Sequence, residues 1–234
     1  MIHSKIVAIL PAYNLEDSIG NIVERTLRFV DHVIVVSDGS HDKTAENARK
    51  SGGVTPDPVM KRGKGYAVIK GIKASREYYP DLVILMDADG QHLPEEIPTV
   101  IKPIIEKDVD MVIGSRMMGK LKTSFINRIG NVGLKTISFL VAGRWLSDTE
   151  SGYHAFKSSK LYSLHLHSSG YEFDSELMLR ALKSKMSFCE VPITVPFKRA
   201  GVTVLDGIKI GWYKIYQGVQ IRFSIEGDND NNEN

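Results

Sequence analysis

Two aspartates separated by one residue follow an apolar stretch near the middle of the sequence. Asp87 and Asp89 belong to the segment Asp87-Ala88-Asp89-Gly90-Gln91-His92, directly after the strand-like run 82–86. Alternate positions at a strand end can direct two carboxylates toward one ligand, and Mg²⁺ or Mn²⁺ prefers such oxygens together with phosphate oxygens. Gly90 permits a tight turn, after which Gln91 or His92 can supply a further ligand. The segment predicts a metal–diphosphate site, with two exposed loop aspartates before a helix as the alternative.

A second polar turn, Ser37-Asp38-Gly39-Ser40, follows the apolar run 33–36. A carboxylate such as that of Asp38 can accept hydrogen bonds from a nucleobase N–H or a ribose hydroxyl. The same residue types are also common in ordinary turns, so the segment alone favours neither interpretation. Ligands of open parallel sheets bind beyond the carboxyl ends of the strands. We therefore expect Asp38, the Asp87 turn and the loop 11–14 to open at one edge.

A third turn, Gly63-Lys64-Gly65, begins a helical pattern and resembles a phosphate-binding turn. It has neither the third glycine of a dinucleotide fingerprint nor the Lys-Ser/Thr ending of a P-loop, which disfavours a dehydrogenase or a kinase. Lys64 is a candidate nucleotide contact, and an ordinary solvated lysine is the alternative.

These turns need a scaffold in which strands alternate with helices. Strands are predicted at 5–10, 32–36, 82–86, 111–114 and 188–197. Helices are predicted at 16–29, 43–50, 94–107, 125–143 and 174–184. Asn14 and Asp17 resemble a capping pair for the first helix, and 148–156 is interpreted as an irregular loop. The alternation predicts an α/β fold with crossover units on a mixed, mainly parallel sheet flanked by helices.

The composition is that of one globular domain. The chain has 234 residues, of which 42% are hydrophobic, enough for one substantial core. Its 30 basic and 28 acidic residues nearly balance, which disfavours a nucleic-acid partner. The single cysteine, Cys189, leaves no disulfide or Cys-based zinc site within the chain and fits a reducing compartment. We predict one catalytic domain over 1–226 and a disordered polar tail over 227–234.

The membrane is a candidate partner through one segment near the carboxyl terminus. Residues 206–223 have an amphipathic pattern with Trp212 and Tyr213 among lysines. Such helices favour the bilayer interface, although packing on the protein's own domain is the alternative. There is no secretory-signal pattern, and Lys135 and Arg144 interrupt the best candidate for a membrane span. We expect a cytoplasmic protein that is peripheral at the membrane face, bound directly or through a membrane-anchoring subunit.

Taken together, the motifs resemble family 2 glycosyltransferases. Five segments have the order and spacing of that family: Pro11-Ala12-Tyr13-Asn14, Ser37-Asp38-Gly39-Ser40, Gly63-Lys64-Gly65, Asp87-Ala88-Asp89-Gly90-Gln91-His92 and Gly114-Ser115-Arg116. The segments 148–156 and 170–176 resemble later, acceptor-side motifs of dolichyl- or polyprenyl-phosphate mannose or glucose synthases. The resemblance covers residues 6–202 and implies a GT-A fold, which is a Rossmann-like nucleotide-diphospho-sugar transferase fold. It also implies a nucleotide-sugar donor and Mg²⁺ or Mn²⁺.

The resemblance assigns roles to individual positions. For the nucleotide and donor it implies Pro11, Tyr13, Asn14, Asp38, Lys64, Asp87, Ala88 and Asp89. For the metal it implies Asp87, Asp89 and Gln91, and for catalysis Asp89, Arg116 and Arg128. For the acceptor it implies Arg128, Asp148, His154, Glu176 and Arg199. The chain departs from the family at Ser37, where many relatives have aspartate, and at His154, where arginine or lysine is frequent.

The activity implied is transfer of mannose, glucose or N-acetylglucosamine from GDP-mannose or a UDP-sugar to dolichyl or polyprenyl phosphate, with inversion. A lipid phosphate is already ionised, whereas a hydroxyl acceptor needs a general base such as Asp148 or Glu176. Two alternatives stay open: a transferase of the same fold acting on a saccharide or protein hydroxyl, and a non-catalytic subunit that binds nucleotide-sugar or lipid. The sequence leaves the sugar, the nucleotide, the polyprenol length and the oligomeric state open.

Overall fold

A computed structural model describes residues 4–56, 60–119, 146–148, 151–170 and 172–196. These residues form a six-stranded sheet with the order β2-β1-β3-β5-β4-β6. Only β5 runs antiparallel to its neighbours in this sheet. The strands are β1 (Ile6–Ala12), β2 (His32–Ser37), β3 (Leu82–Met86), β4 (Met111–Ser115), β5 (Tyr153–Lys157) and β6 (Phe188–Pro192). The predicted mixed, mainly parallel sheet is confirmed.

Helices connect the strands and cover the sheet. They are α1 (Ile19–Thr26), α2 (Thr44–Lys50), α3 (Lys64–Ser75), α4 (Ile97–Lys107), α5 (Ser158–Tyr162) and α6 (Phe173–Lys183). Short 3₁₀ turns lie at Arg76–Tyr78 and Pro94–Glu96. In α1 the buried residues recur at helical spacing, at Ile19, Ile22, Val23 and Thr26, so one stripe faces the sheet.

The central strands are apolar on both faces because helices cover both faces. Along β3, every residue from Leu82 to Met86 is buried. Ile84 packs in one cluster with residues of α1 and α4, whereas its neighbours Val83 and Leu85 pack with residues of α3 and α6. Burial of each such side chain contributes about 1.5–3 kcal/mol. The core therefore fixes β3 firmly, and with it the turn that follows.

Strand β5 corrects the prediction of an irregular loop over 148–156. Tyr153–Lys157 forms a strand between β3 and β4, with His154 opposite both Leu85 and Ile113. The segment is short and its polar histidine breaks the apolar pattern, so the local signal is weak. Its hydrogen bonds come from two neighbouring strands that are distant in sequence, and Tyr153 and Phe156 are fully buried. Tertiary packing, rather than local propensity, makes this strand.

The predicted capping pair of Asn14 and Asp17 is also wrong. The first helix begins at Ile19, and the residue before it, Ser18, makes no side-chain capping hydrogen bond. Asn14 instead has a left-handed backbone, with φ of 51°. Its side-chain oxygen accepts a hydrogen bond from the His41 N–H at 3.1 Å, and its own N–H donates to Ser40 Oγ at 3.1 Å. Asn14 thus joins the loops that follow β1 and β2.

The other elements for which bounds were predicted lie close to them, with β6 ending at Pro192 rather than at residue 197. The short helix α5 was not predicted. The predicted helices over 125–143 and 206–223 and the tail over 227–234 lie outside the described residues, and the single domain over 1–226 stays a prediction. Within the part of the chain that the structure describes, no helix has the length and apolar character needed to cross a membrane.

Candidate active site

The carboxyl ends of β1, β2 and β3 meet at one edge of the sheet, as predicted. The strands β1 and β2 end in register, with Ala12 opposite Ser37, and the Asp38 N–H donates to the Ala12 carbonyl at 2.9 Å. Strand β3 lies on the other side of β1, in parallel with it, and delivers Asp87. The loop 11–14, the Asp38 turn and the Asp87 turn therefore extend from neighbouring strands.

Lys64 is held between two carboxylates at this edge. Its Nζ lies 2.9 Å from Asp87 Oδ1 and 2.8 Å from Asp174 Oδ2, and its side chain is only 17% exposed. Burial alone would lower the pKa of Lys64, but the charges of Asp174 and Asp87 outweigh burial and raise it above its ordinary value. Lys64 is therefore a fixed positive charge and not a solvated turn lysine. Asp174 was not among the predicted site residues, although it lies in the acceptor-like segment 170–176.

Asp87 is ionised in this arrangement. Burial raises the pKa of its carboxyl, but the positive charge of Lys64 opposes burial, and the net effect is a pKa below the ordinary value. His92 Nε2 lies 3.9 Å from Asp87 Oδ2. Burial lowers the pKa of His92 to about 4, so its imidazole is neutral near pH 7. Gly152 packs against Asp87 so closely that an added Cβ would collide with the carboxylate.

Asp89 lies in the tight turn predicted after β3. Gly90 has a positive φ of 83°, and Asp89 Oδ1 accepts a hydrogen bond from the Gln91 N–H at 3.0 Å. Asp87 and Asp89 supply hard carboxylate oxygens, which fit Mg²⁺ or Mn²⁺. Among the residues described, no group of three or more His, Cys, Asp or Glu side chains is arranged to hold a metal ion. A cation at these two aspartates would therefore need further oxygens from a bound ligand.

The carboxylate of Asp38 is buried and bonded to the backbone. It accepts hydrogen bonds from the N–H groups of Arg62, at 2.8 Å, and Gly63, at 2.9 Å. Gly63 has a φ of 106°, and a Cβ there would lie 2.5 Å from the Ser169 carbonyl oxygen. Asp38 thus fixes the loop that precedes Lys64, and its nucleoside contact stays a prediction.

Tyr13 is the exposed aromatic ring at this edge. The side chain of Lys61 covers it, with Nζ 3.9 Å from the ring centroid, in a cation–π contact. Pro11 is half-buried in β1, and Ala88 is buried under the turn that carries Asp87 and Asp89. Pro11, Tyr13 and Ala88, which are predicted for the nucleotide and donor, lie at the same edge of the sheet as Asp38 and Asp87. Their contacts with a nucleotide stay predictions.

Arg116 and Asp148 form a bidentate ion pair. Arg116 Nε donates to Asp148 Oδ2 at 2.7 Å, and Nη2 donates to Oδ1 at 2.8 Å. The backbone N–H of Arg116 also donates to Oδ2, at 3.1 Å. Asp148 is almost completely buried, so both of its oxygens are committed to orienting Arg116.

Glu190 on β6 binds the backbone that carries Asp148, and it was not among the predicted site residues. Its carboxylate accepts hydrogen bonds from the Ser147 N–H at 2.9 Å and the Ser147 hydroxyl at 2.6 Å. The Asp148 N–H donates to the same carboxylate at 3.3 Å. A carboxylate in an otherwise apolar strand is the sequence signal that could have identified it, because a partly buried charge needs partners.

Glu176 is buried and fully bonded inside the protein. It accepts hydrogen bonds from the N–H groups of His167, at 3.0 Å, and Ser168, at 2.7 Å, and from Arg180 Nε at 2.7 Å. Burial raises the pKa of Glu176, but these hydrogen bonds outweigh burial and lower it overall. The segment 167–170 packs on the start of α3, where the Tyr66 N–H donates to the Ser169 carbonyl at 3.0 Å. Glu176 thus fixes a segment that lies against the helix carrying Lys64.

His154 lies on β5 and is buried. Among the residues that the structure describes, neither of its ring nitrogens has a hydrogen-bond partner. Burial, followed by the charge of Lys64, lowers the pKa of His154 to about 4, so the ring is neutral near pH 7. The structure thus places three predicted residues close together, since the charges of Lys64 and Asp87 both affect the pKa of His154. Arg128 and Arg199 lie outside the described residues.

Comparison with known proteins finds a family match and several relatives. Residues 7–175 match the family Glycosyl transferase family 2. The chain is 34% identical to UDP-N-acetylglucosamine–dolichyl-phosphate N-acetylglucosaminyltransferase of Methanococcus voltae, over 88% of this chain and 92% of the relative. It is 30% identical to polyprenol monophosphomannose synthase of Mycolicibacterium smegmatis, over 87% of this chain and 82% of the relative.

A solved structure shows the same fold. Glucosyl-3-phosphoglycerate synthase from Mycobacterium tuberculosis, crystallised with Mn²⁺, UDP and glucosyl-3-phosphoglycerate, superposes with a TM-score of 0.73. The match covers 96% of this chain and 82% of that one, at 20% identity. The family match extends from β1 to the first turn of α6 and so includes every described turn that contributes to the site. The chain belongs to glycosyltransferase family 2 and is a glycosyltransferase with the GT-A fold.

Proposed function

We propose that this glycosyltransferase moves mannose, glucose or N-acetylglucosamine from a nucleotide-diphosphate donor to dolichyl or polyprenyl phosphate, with inversion. The observation that carries the proposal is the state of Asp148 and Glu176. Both carboxylates are buried and bonded through both oxygens to groups of the protein itself. Neither is placed to take a proton from an acceptor hydroxyl, and an ionised lipid phosphate needs no such base.

The names of the relatives support this acceptor. The Methanococcus voltae relative is named for transfer to dolichyl phosphate, and the Mycolicibacterium smegmatis relative for synthesis of a polyprenol monophosphomannose. The two names differ in the sugar. GDP-mannose and UDP-sugars therefore both stay candidate donors, and the acceptor is the common element.

On the donor side we propose that Asp87 and Asp89, with Gln91 beside them, hold Mg²⁺ or Mn²⁺ together with the donor diphosphate. When bound, the ion supplies positive charge that stabilises the departing nucleoside diphosphate. Lys64 and Arg116 add fixed positive charge at the same edge, each held by a buried carboxylate. Two anionic reactants need this charge, because they otherwise repel each other.

On the acceptor side we propose that the lipid phosphate approaches Arg116, with Arg128 and Arg199 as further phosphate contacts. The guanidinium of Arg116 is oriented by Asp148 and is partly exposed. Arginine is suited to phosphate because its planar group donates several hydrogen bonds in a fixed geometry. A phosphate oxygen of the lipid attacks the anomeric carbon as the bond to the donor diphosphate breaks, and the configuration inverts.

A lipid acceptor places the reaction at a membrane surface. We propose a peripheral enzyme at the cytoplasmic face that binds the membrane through residues 206–223 or through a membrane-anchoring subunit. Flotation with anionic vesicles measures direct binding. Co-flotation of the pure chain supports binding through its own residues, and flotation only with a partner protein supports the anchoring subunit.

The reaction is tested by a lipid-partition assay. Labelled GDP-mannose, UDP-glucose and UDP-N-acetylglucosamine are each incubated with polyprenyl phosphate, Mg²⁺ or Mn²⁺ and the enzyme, beside Asp89→Asn. We expect label from one donor in the lipid phase with the wild type, and none above background with the variant. If no donor labels the lipid while a saccharide or protein hydroxyl is glycosylated, the proposed acceptor is wrong.

A further inference from the structure

We propose that Asp174 is a positioning residue that retains Lys64 when Asp87 engages a divalent cation. The inference rests on the proposed metal–diphosphate site at Asp87 and Asp89. Asp174 does not contact the reacting groups in this account. It acts on Lys64, which shares its ammonium between the two carboxylates.

The geometry gives the two carboxylates unequal positions. Lys64 Nζ lies 2.9 and 3.0 Å from the two oxygens of Asp87 and 2.8 Å from Asp174 Oδ2. The side chain of Asp87 is 29% exposed, whereas that of Asp174 is 10% exposed. Asp87 is thus the carboxylate that a ligand from solvent reaches, and Asp174 is the inner partner.

Charge explains why the inner partner is needed. A cation on Asp87 competes with Lys64 for the same oxygens and repels its ammonium. An ammonium left in a buried site without a partner is strongly unfavourable. Asp174 removes this cost, because Lys64 keeps one carboxylate at hydrogen-bond distance after Asp87 turns to the cation. With two carboxylates to one ammonium, the unliganded cluster of Lys64, Asp87 and Asp174 also carries a net negative charge that attracts a cation.

The backbone around the cluster is fixed, so Lys64 cannot leave the carboxylates by a shift of its backbone. The start of α3 is held by Asp38 on one side and by the segment 167–170 on the other. Asp174 lies in the first turn of α6, and Phe173 beside it is buried in the core.

The test measures Mn²⁺ binding, without lipid acceptor, from the electron paramagnetic resonance signal of free Mn²⁺ in the presence of GDP or UDP. We expect Asp174→Asn to raise the apparent Kd for Mn²⁺ about tenfold, because Lys64 then depends on Asp87 alone. Asp174→Glu keeps the charge and is expected to stay within about threefold of the wild type. The double variant Lys64→Met, Asp174→Asn removes the competing ammonium and should return the Mn²⁺ Kd toward the wild-type value.

Asp110→Asn is the matched control. Asp110 is also a largely buried aspartate that pairs with a lysine, Lys157, but it lies outside the cluster. It should lower the melting temperature and leave the Mn²⁺ Kd unchanged.

Equal Mn²⁺ affinity in folded Asp174→Asn and wild type overturns this inference alone, as does a weakened affinity that persists in the double variant. If Asp174→Asn does not fold, a Glu variant more than tenfold weaker than wild type overturns it. Absence of Mn²⁺ binding by the wild type overturns the metal site as well.

Discussion

The carboxylates of the candidate site fall into two groups that differ in exposure and in bonding. Asp87 and Asp89 follow β3, keep part of their surface open, and face positive or polar groups. Asp148 and Glu176, which the sequence predicted for the acceptor, are buried and accept several short internal hydrogen bonds each. The first pair is placed to bind a ligand, and the second pair is placed to hold parts of the protein.

This contrast bears on the chemistry of the acceptor. Buried carboxylates that accept strong hydrogen bonds in the ionised form are weak bases, as the lowered pKa of Glu176 illustrates. Asp148 contributes instead through Arg116, whose orientation it fixes. A transferase with this distribution suits a nucleophile that arrives already ionised.

The largest effect is expected for Asp89→Asn. Loss of this carboxylate removes a proposed cation ligand while the turn geometry is kept, and kcat/KM should fall about 1,000-fold. Lipid-phase label measures the loss. Asp17→Asn, at an exposed position, makes the same chemical change and should leave activity within about twofold of wild type. Near-normal activity of Asp89→Asn would show that the reaction does not depend on a cation bound by Asp89. The proposed ligand-binding role of Asp87 and Asp89 would then be wrong.

Gly152→Ala should have the next largest effect. The added Cβ collides with Asp87 and displaces its carboxylate, and misplacement by about 1 Å can reduce the rate about 100-fold. Gly20→Ala is the control, because its Cβ would come closest to the hydroxyl of Ser51, a side-chain atom that can turn away. Steady-state kinetics on both variants measure the difference. Equal activity of the two would show that the position of Asp87 does not matter for the reaction.

Asp148→Asn distinguishes a positioning role from a base. We expect a loss of about tenfold in kcat/KM, since the amide holds Arg116 less well, and an unchanged shape of the pH–rate profile. The profile is measured with polyprenyl phosphate as the acceptor, from about pH 5.5 to about pH 8.5. A loss as large as that of Asp89→Asn, with disappearance of an ionisation from the profile, would make Asp148 the base.

Glu176→Gln should change stability more than activity. Removal of the charge weakens hydrogen bonds from His167, Ser168 and Arg180, and the free energy of unfolding should fall by about 2 kcal/mol at pH 7. Activity at low temperature should remain close to wild type. Urea unfolding and kinetics at 15 °C, about the temperature of maximum stability for many proteins, provide the two measurements. Lost activity with intact stability would instead support the predicted role of Glu176 at the acceptor.

Acidification sharpens the same prediction. A carboxyl whose pKa is lower in the folded than in the unfolded state stabilises the fold above its unfolded pKa, and this stability is lost as pH falls through the folded pKa. The pKa of Glu176 is lowered. The stability difference between wild type and Glu176→Gln should therefore be full at pH 7 and shrink below about pH 4.3. A difference that grows on acidification would contradict the assigned hydrogen bonds.

The sequence predicted the meeting of the turns after β1, β2 and β3 at one edge well because its signals are local. Asp87, Asp89 and the glycine of their turn follow a continuous apolar strand, and parallel pairing of β1, β2 and β3 is enough to bring the turns together. The fold class followed from the same alternation. Lys64 was identified from a glycine-flanked turn, although its pairing was not.

The side-chain pairs around the candidate site were harder to predict because they are long-range. Lys64 and Asp174 are 110 positions apart, and Ser147 and Glu190 are 43 apart, so no local pattern joins them. Strand β5 depends on two neighbours that flank it only in the folded sheet. The internal partners of Asp148 and Glu176 were also not predicted, since a sequence motif does not reveal which oxygens are already bonded.

The most direct measurement compares two acceptors that differ only in the phosphate. The enzyme is given its labelled donor with polyprenyl phosphate or with the free polyprenol of the same length, under single-turnover conditions at pH 7. Because the oxygens of Asp148 and Glu176 are bonded to groups of the protein itself, we predict label only in the phosphate-bearing lipid. Transfer to the alcohol at a comparable rate would contradict the account, since it would require a base that the structure commits elsewhere.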